Sequence, residues 1–223
     1  FTSRGMVYQL KCYKLPLGSP QSIGKAMVNL LPIETEETIQ AVMPMPQDKE
    51  SWDNLNILFA TSFGSIRRNK LNDFVNIKRN GKIAIKLSEN DKLIGVTTCN
   101  DDSQILLASK NGKAIRFSIN QVRVFKGRDS SGVRGIKLLG NDQVVSMSVI
   151  ADETNEFVLS ICENGYGKRS SNKDYRVTNR GGKGIIGIIN SERNGNISSS
   201  LVVNESDEIL LSTDKGSITV SYT

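Results

Sequence analysis

Histidine occurs nowhere in the sequence. Its absence removes the side chain most used as a general base near neutral pH, and the commonest metal ligand. Cysteine is scarce and dispersed: Cys12, Cys99 and Cys162 form no C-x-x-C pair, so neither a zinc site nor a disulfide framework is indicated. Isolated thiols of this kind fit a reducing compartment, where they serve as small buried apolar groups. No apolar run approaches the ~18 residues that span a bilayer. The opening FTSRGMVYQL has neither the basic nor the apolar region of a secretory signal. Aromatic residues make up only 6% of the chain, which disfavours single-strand binding by base stacking. These absences predict a cytoplasmic protein without membrane association. The missing initiator Met predicts a segment of a longer chain.

A nucleotide-cradling loop is also missing. That motif needs G-x-x-x-x-G-K followed by Ser or Thr, whose hydroxyl holds Mg²⁺. In VTNRGGKGIIGI (177–188) Lys183 is followed by Gly184, and a strand pattern follows where a helix should begin. In GSPQSIGKAM (18–27) the glycines are wrongly spaced and Ala26 stands at the hydroxyl position. No cofactor is expected in this chain.

What the sequence does contain is repetition. ILFATSFGSIRR (57–68) returns as ILLASKNGKAIRF (105–117), FVLSICENGYGKR (157–169) and ILLSTDKGSITV (209–220), with a clipped copy at the start. Each phrase is an aliphatic run, a polar turn ending in glycine, and a second run. The turn glycines are Gly5, Gly64, Gly112, Gly165 and Gly216. Such a phrase predicts a β-hairpin, because glycine supplies the positive φ of the turn. A second theme (24–33, 81–90, 131–140, 182–191) predicts a strand opened by glycine, with Ile83, Ile85 and Leu87 alternating with Ala84 and Lys86. A third (38–45, 93–99, 144–150, 197–203) predicts a further strand, and in its middle two copies Ile94/Val96 and Val145/Met147/Val149 are separated by Gly95 and by Ser146/Ser148, large residues on one face and small ones on the other. Four short strands in about 50 residues is the signature of propeller-type blades. The fold class is therefore all-β, a ring of blades of which the first and last are truncated. A single domain over 1–223 is expected, with repeats near 1–50, 55–100, 103–151, 155–204 and 207–223.

Charge follows the repeats. The chain carries 29 Lys and Arg against 23 Asp and Glu, and residues 60–137 hold 16 of those basic residues but only 6 acidic ones. Such a basic middle suggests a polyanionic partner. Cations recur after the turn glycines as Arg67 and Arg68, Arg116, and Lys168 and Arg169. Others crowd the connections that follow: Lys70, Lys78, Arg79 and Lys82; Arg123, Lys126, Arg128 and Arg134; Lys173, Arg176, Arg180 and Lys183. On a radial scaffold, matching positions would form one basic track suited to duplex phosphates. No recognition helix or zinc finger is present to read bases.

The order and spacing of YKLPLGSPQSIGKAMVNLLPIE (13–34), GKIAIKLSENDKLIGV (81–96), GKAIRFSINQVR (112–123), SGVRGIKL (131–138) and ENGYGKRS (163–170) resemble the C-terminal domain family of bacterial DNA gyrase A subunits. The resemblance implies a β-pinwheel whose blades exchange strands, and a role in bending and wrapping duplex DNA to support ATP-dependent negative supercoiling. It further implies duplex DNA, the rest of the gyrase A protein and its gyrase B companion as partners of a monomeric domain associated with the nucleoid. ATP and Mg²⁺ would belong to the parent enzyme, with no catalysis in this chain. The family's box, Q-R-R-G-G-K-G, matches Thr178–Gly184 at five of seven positions, which carries Arg180, Gly181, Gly182 and Lys183 over as phosphate contacts. That match lies in a later repeat, and the box itself is expected upstream of Phe1. A propeller that binds proteins rather than DNA, or the equivalent domain of topoisomerase IV, remains the alternative.

Overall fold

Gly5, Gly64, Gly112, Gly165 and Gly216 all adopt positive φ, between 78° and 88°. Each glycine turns the chain where the repeated phrase predicts it. The computed structural model describes residues 1–19, 21–45, 48, 50–151 and 154–222; Pro20 of the 18–27 segment and parts of the expected repeat joints at 46–49 and 152–153 lie outside these. The strands are β1 (Met6–Val7), β2 (Asn56–Thr61), β3 (Ser65–Lys70), β4 (Lys82–Ile83), β5 (Leu93–Cys99), β6 (Gln104–Ser109) and β7 (Lys113–Ser118). They continue with β8 (Val133–Arg134), β9 (Val144–Ile150), β10 (Glu156–Cys162), β11 (Gly167–Ser171), β12 (Ile185–Ile186), β13 (Ile197–Asn204), β14 (Glu208–Ser212) and β15 (Ile218–Tyr222). Short 3-10 turns join them, and no α-helix occurs among the described residues.

The strands do not pair only within their own repeat. Sheet order is β5-β2-β3-β8 in one blade and β12-β7-β6-β9 in the next, so each fourth strand comes from the repeat that follows. The register is the same each time. The residue after the turn glycine pairs with the second residue of the incoming strand: Met6 with Ile83, Ser65 with Arg134, Lys113 with Ile186. An open hairpin edge would leave a row of amide and carbonyl groups unpaired, and the incoming strand satisfies them. The sheet β11-β10-β13 has three strands, and no fourth strand joins β11 among the described residues.

Exchange explains how the chain divides. One compact unit comprises Phe1–Asn100 and Val122–Arg134; the other comprises Asp101–Gln121 and Gly135–Thr223. The first unit is built on Ile57, Phe59, Leu71, Phe74, Ile85 and Leu93, with Trp52. Phe1, Phe59 and Phe74 meet at ring separations of 5.7–6.2 Å, within the range of favourable edge and tilted contacts. In the second unit Leu106, Ala114, Ile150, Val158 and Tyr175 pack together. Two carboxylates fasten hairpin turns to the strands beside them. Asp91 accepts from the Ser62 hydroxyl at 2.8 Å and the Phe63 amide at 2.9 Å. Asp142 does the same with Ser109 at 2.6 Å and Asn111 at 2.9 Å.

Two expectations need correction. The glycine-opened theme pairs as a strand for only two residues, and it does not alternate: Ile83 is exposed whereas Ala84 and Ile85 are both buried. Just past the paired residues the amides of Ala84 and Ile85 both donate to the Gly5 carbonyl, so the chain curls around the turn it joins instead of running on as a strand. The earliest copies of the second and third themes form no strand. Residues 24–33 contain only a 3-10 turn, Met27–Asn29, and residues 38–45 only an isolated bridge, Thr2 to Ile39.

Stability should reflect these contacts. Gly132, at φ +98°, lies against Ile66, whose carbonyl oxygen an added Cβ would strike. Gly132→Ala should cost well over ~1 kcal/mol, read as a lower urea midpoint. Burial pushes the Cys99 thiol up to about 11 from its ordinary 9, the nearby Arg68 offsetting part of the effect. The folded chain thus keeps a proton that the unfolded chain loses above pH 9, and this contribution to stability should fade between about pH 9 and 11. At pH 8 a thiol reagent should label exposed Cys12, sparing Cys99 and Cys162 until unfolding.

Candidate nucleic-acid interface

Two of the incoming connectors touch the edge strand of the preceding hairpin at two places. Val124 bridges Arg68 in parallel before β8 pairs with β3, and Val177 bridges Arg116 before β12 pairs with β7. Between these anchors the chain must bulge outward, as residues 125–132 and residues 178–184. Both bulges carry cations.

In the first unit the bulge is filled from beneath. Arg67 is 1% exposed, and its guanidinium donates to the backbone oxygens of Gly127 and Ser130 and, at 2.9 Å, to Asn69. Asn69 in turn donates to the carbonyls of Phe125 at 3.1 Å and Gly127 at 2.9 Å. Phe125 lies between the guanidiniums of Arg67 and Arg123, at 5.3 and 4.4 Å from its ring centre. Burial pulls the Arg67 guanidinium below its ordinary value, which Asp129 and Asp73 partly counter. In the second unit Arg116 is 3% exposed and donates to Gln104 at 2.6 Å and to the carbonyls of Asn172 and Tyr175 at 2.7 and 3.3 Å.

The expected track through the hairpins is therefore interrupted. Arg67, Arg68 and Arg116 are buried, at 1, 5 and 3% exposure, and cannot meet a duplex. Their recurrence after the turn glycine has an architectural cause. That stretch of the edge strand is where the next connector crosses, and a guanidinium with five donors ties down the carbonyls the crossing exposes. Arg169 occupies the place of Arg68 and Arg116 on β11, with no connector laid over it among the described residues. It remains exposed, stacked 4.8 Å from the Phe157 ring and 3.9 Å from Glu205.

The connector cations are distributed differently. In the first unit Lys70, Lys78, Arg79, Arg123, Lys126 and Arg134 are exposed. Lys82 is half-buried and reaches the Asp73 and Asn76 carbonyls at 3.1 and 3.3 Å, while Arg128 donates to the Ile83 carbonyl at 2.8 Å. In the second unit Lys168, Lys173, Arg176 and Lys183 are exposed, with Lys168 3.3 Å from the Gly187 carbonyl. Arg180 is half-buried. Its side chain donates to the Gln121 carbonyl at 2.8 Å, and its amide to the Gln121 side chain at 2.8 Å. Gly181 sits at φ +78° with its amide on the Gly135 carbonyl at 2.6 Å, and Gly182 is exposed. Asn69 and Gln121 carry no cationic or motif signal in the sequence. The i, i+2 spacing of Arg67 and Asn69 was the available signal, since it puts both on one face of β3.

Among the described residues no group of three or more His, Cys, Asp or Glu could hold a metal, and no helix is long and apolar enough to cross a membrane.

Blades completed by a strand from the following repeat are those of an all-β fold of the β-pinwheel class. Comparison with known proteins narrows this. The family model for the DNA gyrase C-terminal domain, beta-propeller, matches residues 1–44, 55–100, 103–151 and 156–204. The chain is 42% identical over 264 aligned residues to the DNA gyrase A protein of Rickettsia bellii (strain RML369-C), covering 98% of this chain and 29% of that protein. It is 37% identical to the DNA gyrase A protein of Escherichia coli (strain K12), over 98% of this chain and 24% of that protein. Among solved structures, that of a DNA gyrase A C-terminal domain superposes with a TM-score of 0.79 at 26% identity, covering 98% of this chain and 69% of that one. The crystal structure of a topoisomerase IV C-terminal domain superposes at 0.88 with 25% identity, covering 99% and 68%. The chain belongs to the DNA gyrase A C-terminal domain family. It spans less than a third of the length of these curated relatives.

The buried and exposed cations should behave oppositely on mutation. Arg67→Ala removes charged hydrogen bonds worth about 1.5–3 kcal/mol each, so its urea midpoint should fall sharply. Lys126→Ala, on the surface of the same bulge, should change stability by less than ~0.5 kcal/mol.

Proposed function

We propose that this domain binds duplex DNA without regard to sequence, and bends and wraps it through the exposed cations of its exchange connectors. The observation that carries this reading is the sorting of charge within each unit. On the hairpin strands Arg67, Arg68 and Arg116 are buried, with Arg67 and Arg116 holding connector carbonyls, while Lys78, Arg79, Arg123, Lys126 and Arg134 in one unit, and Arg176 and Lys183 in the other, stay exposed. Connector bulges project from the sheet edges, which suits them to a phosphate backbone. Nothing in their chemistry reads base edges, so affinity comes from phosphate neutralisation and counterion release.

Energetically the reading is reasonable. Smooth bending of a 20–30 bp site costs roughly 1–6 kcal/mol. Cations distributed along the contact offset that cost for any sequence. Membership of the gyrase A family supports placing the domain in an ATP-dependent type II topoisomerase. There it would assist negative supercoiling alongside the rest of the gyrase A protein and its gyrase B companion in the cytoplasm, with ATP and Mg²⁺ held elsewhere in the complex. The domain itself does no chemistry and acts as a monomer.

The test is a salt titration of binding to random-sequence 40-bp duplexes, read by fluorescence anisotropy. Log Kd should vary linearly with log salt, and neutralising Lys78, Arg79 and Lys126 together should lower the slope by about 0.9 for each phosphate no longer neutralised. The weakening should be equal for AT-rich and GC-rich duplexes. Binding that is absent at low salt, or a slope unchanged in the triple variant, would overturn the reading.

A further inference from the structure

Asparagine precedes glycine at four places: Asn80 before Gly81, Asn111 before Gly112, Asn164 before Gly165 and Asn194 before Gly195. Such a pair has a chemistry of its own. The glycine amide nitrogen, unhindered by a side chain, can attack the side-chain carbonyl carbon of the asparagine before it. An N–Cγ bond forms, the Cγ–Nδ2 bond breaks, and the amide proton leaves with the side-chain nitrogen as ammonia. Water then opens the cyclic imide at either carbonyl, giving a carboxylate on an ordinary or a lengthened backbone. The fold decides where this happens, because the nitrogen and the side chain must swing together.

Three of the four pairs are held. The Asn164 side chain donates to the carbonyls of Glu192 and Arg193 at 3.3 and 3.1 Å. Asn194 donates to the Ile189 carbonyl at 2.9 Å and accepts from the Ser191 amide at 2.7 Å, and the Gly195 amide is bound to the Ser191 carbonyl at 2.9 Å. Gly112 is buried, and the amides of Lys110, Asn111 and Gly112 are taken up by Gln143, Asp142 and Ser109. Each of these pairs also sits beside a carboxylate: Asp142 on the Asn111 amide, Glu163 next to Asn164, and a Glu163 oxygen against Gly195. A neighbouring anion opposes the negative charge that develops on the attacked oxygen.

Asn80 lacks both protections. It is exposed, and its side chain has no hydrogen-bond partner among the described residues. The Gly81 amide closes a surface turn on the Lys78 carbonyl at 2.9 Å, and among the described residues no side chain from outside the turn bonds to Asn80 or Gly81. Exposed turns held this lightly open at small cost. No acidic residue occurs between Asp73 and Glu89, whereas Lys78, Arg79 and Lys82 surround the pair and favour a developing anion.

We propose that Asn80 is a modification site, where spontaneous loss of ammonia sets a carboxylate among Lys78, Arg79 and Lys82. The chemical step stands by itself; its consequence rests on the DNA-binding reading. A negative charge placed among three cations weakens the local hold on phosphate. The lengthened product also adds an atom to the backbone just before Lys82 and Ile83 pair with Val7 and Met6, which loosens that exchange.

The purified chain, folded or in guanidinium chloride, is aged in warm, mildly alkaline buffer, and each Asn-Gly peptide is then followed by mass spectrometry after digestion. In the folded chain Asn80 should convert about fivefold faster, or more, than Asn111, Asn164 or Asn194. In denaturant the four rates should agree within about twofold. Aged chain should bind random duplex a few-fold more weakly, with the salt slope lowered by about 0.9. Fresh Asn80→Asp should reproduce that loss, and aged Asn80→Gln, whose longer side chain closes the ring poorly, should escape it. Equal rates in the folded chain, or a faster site elsewhere, would overturn the assignment. Fast conversion of Asn80 with unchanged duplex binding by Asn80→Asp would keep the site and overturn its effect on DNA. Fresh chain that binds no duplex would remove the DNA reading, while selective conversion of Asn80 would still establish the site.

Discussion

The antiparallel pairing of two connector residues with the outer strand of the preceding hairpin is the constraint on which the rest of the structure depends. It occurs three times in one register, at Met6–Val7, Ser65–Ile66 and Lys113–Ala114. Each hairpin exposes a row of backbone donors and acceptors that its own repeat cannot satisfy. Drawing the next connector across that row satisfies it, buries the strand beneath, and forces the connector to bulge between its two anchor points. Gly132 and Gly184, both at positive φ, follow from the same requirement, because each lies directly against a carbonyl of the strand it joins.

The pairing also explains why the arginines divide into two populations. A crossing connector turns several carbonyls inward at one spot on the edge strand. A guanidinium can meet them in a fixed planar fork while its stem packs against apolar neighbours. Arg67 does this from the third place after its turn glycine and Arg116 from the fourth, and Arg169, in the place of Arg116, has no connector over it among the described residues. Cations on the bulges have no inward carbonyls to serve, apart from Arg180 on Gln121 and Arg128 on Ile83, and so they remain in water.

Much of the fold was legible in the sequence because glycine and periodicity carry physical meaning. All five turn glycines have the positive φ that the repeated phrase demands, and the hairpins at 56–70, 104–118, 156–171 and 208–222 lie where it places them. The resemblance implied strand exchange, but its residues could not be read from alternation, because the exchanged piece is two residues long and too short to show a period. The candidate site was less legible. Arg67 and Arg68 are neighbours on a strand and face opposite sides. At least one was bound to point away from any outer surface, yet spacing from the glycine treats them alike. That both are buried depends on a connector more than 50 residues away, which no local pattern announces. The roles of Asp91 and Asp142 are illegible in the sequence for a similar reason. Each looks like an ordinary loop carboxylate until the turn it fastens is seen beside it.

The path of the chain also separates the piece that duplicates from the piece that folds. A repeat counted along the sequence runs from one hairpin to the next, whereas a finished blade borrows Val133–Arg134 or Ile185–Ile186 from its successor. Excising one repeat by an internal deletion would therefore strip its predecessor of an edge, unless the new junction delivered an equivalent connector. Any change in the number of blades must therefore splice at positions that preserve this borrowing, which makes the connectors, rather than the hairpins, the units that fix where the array can be cut.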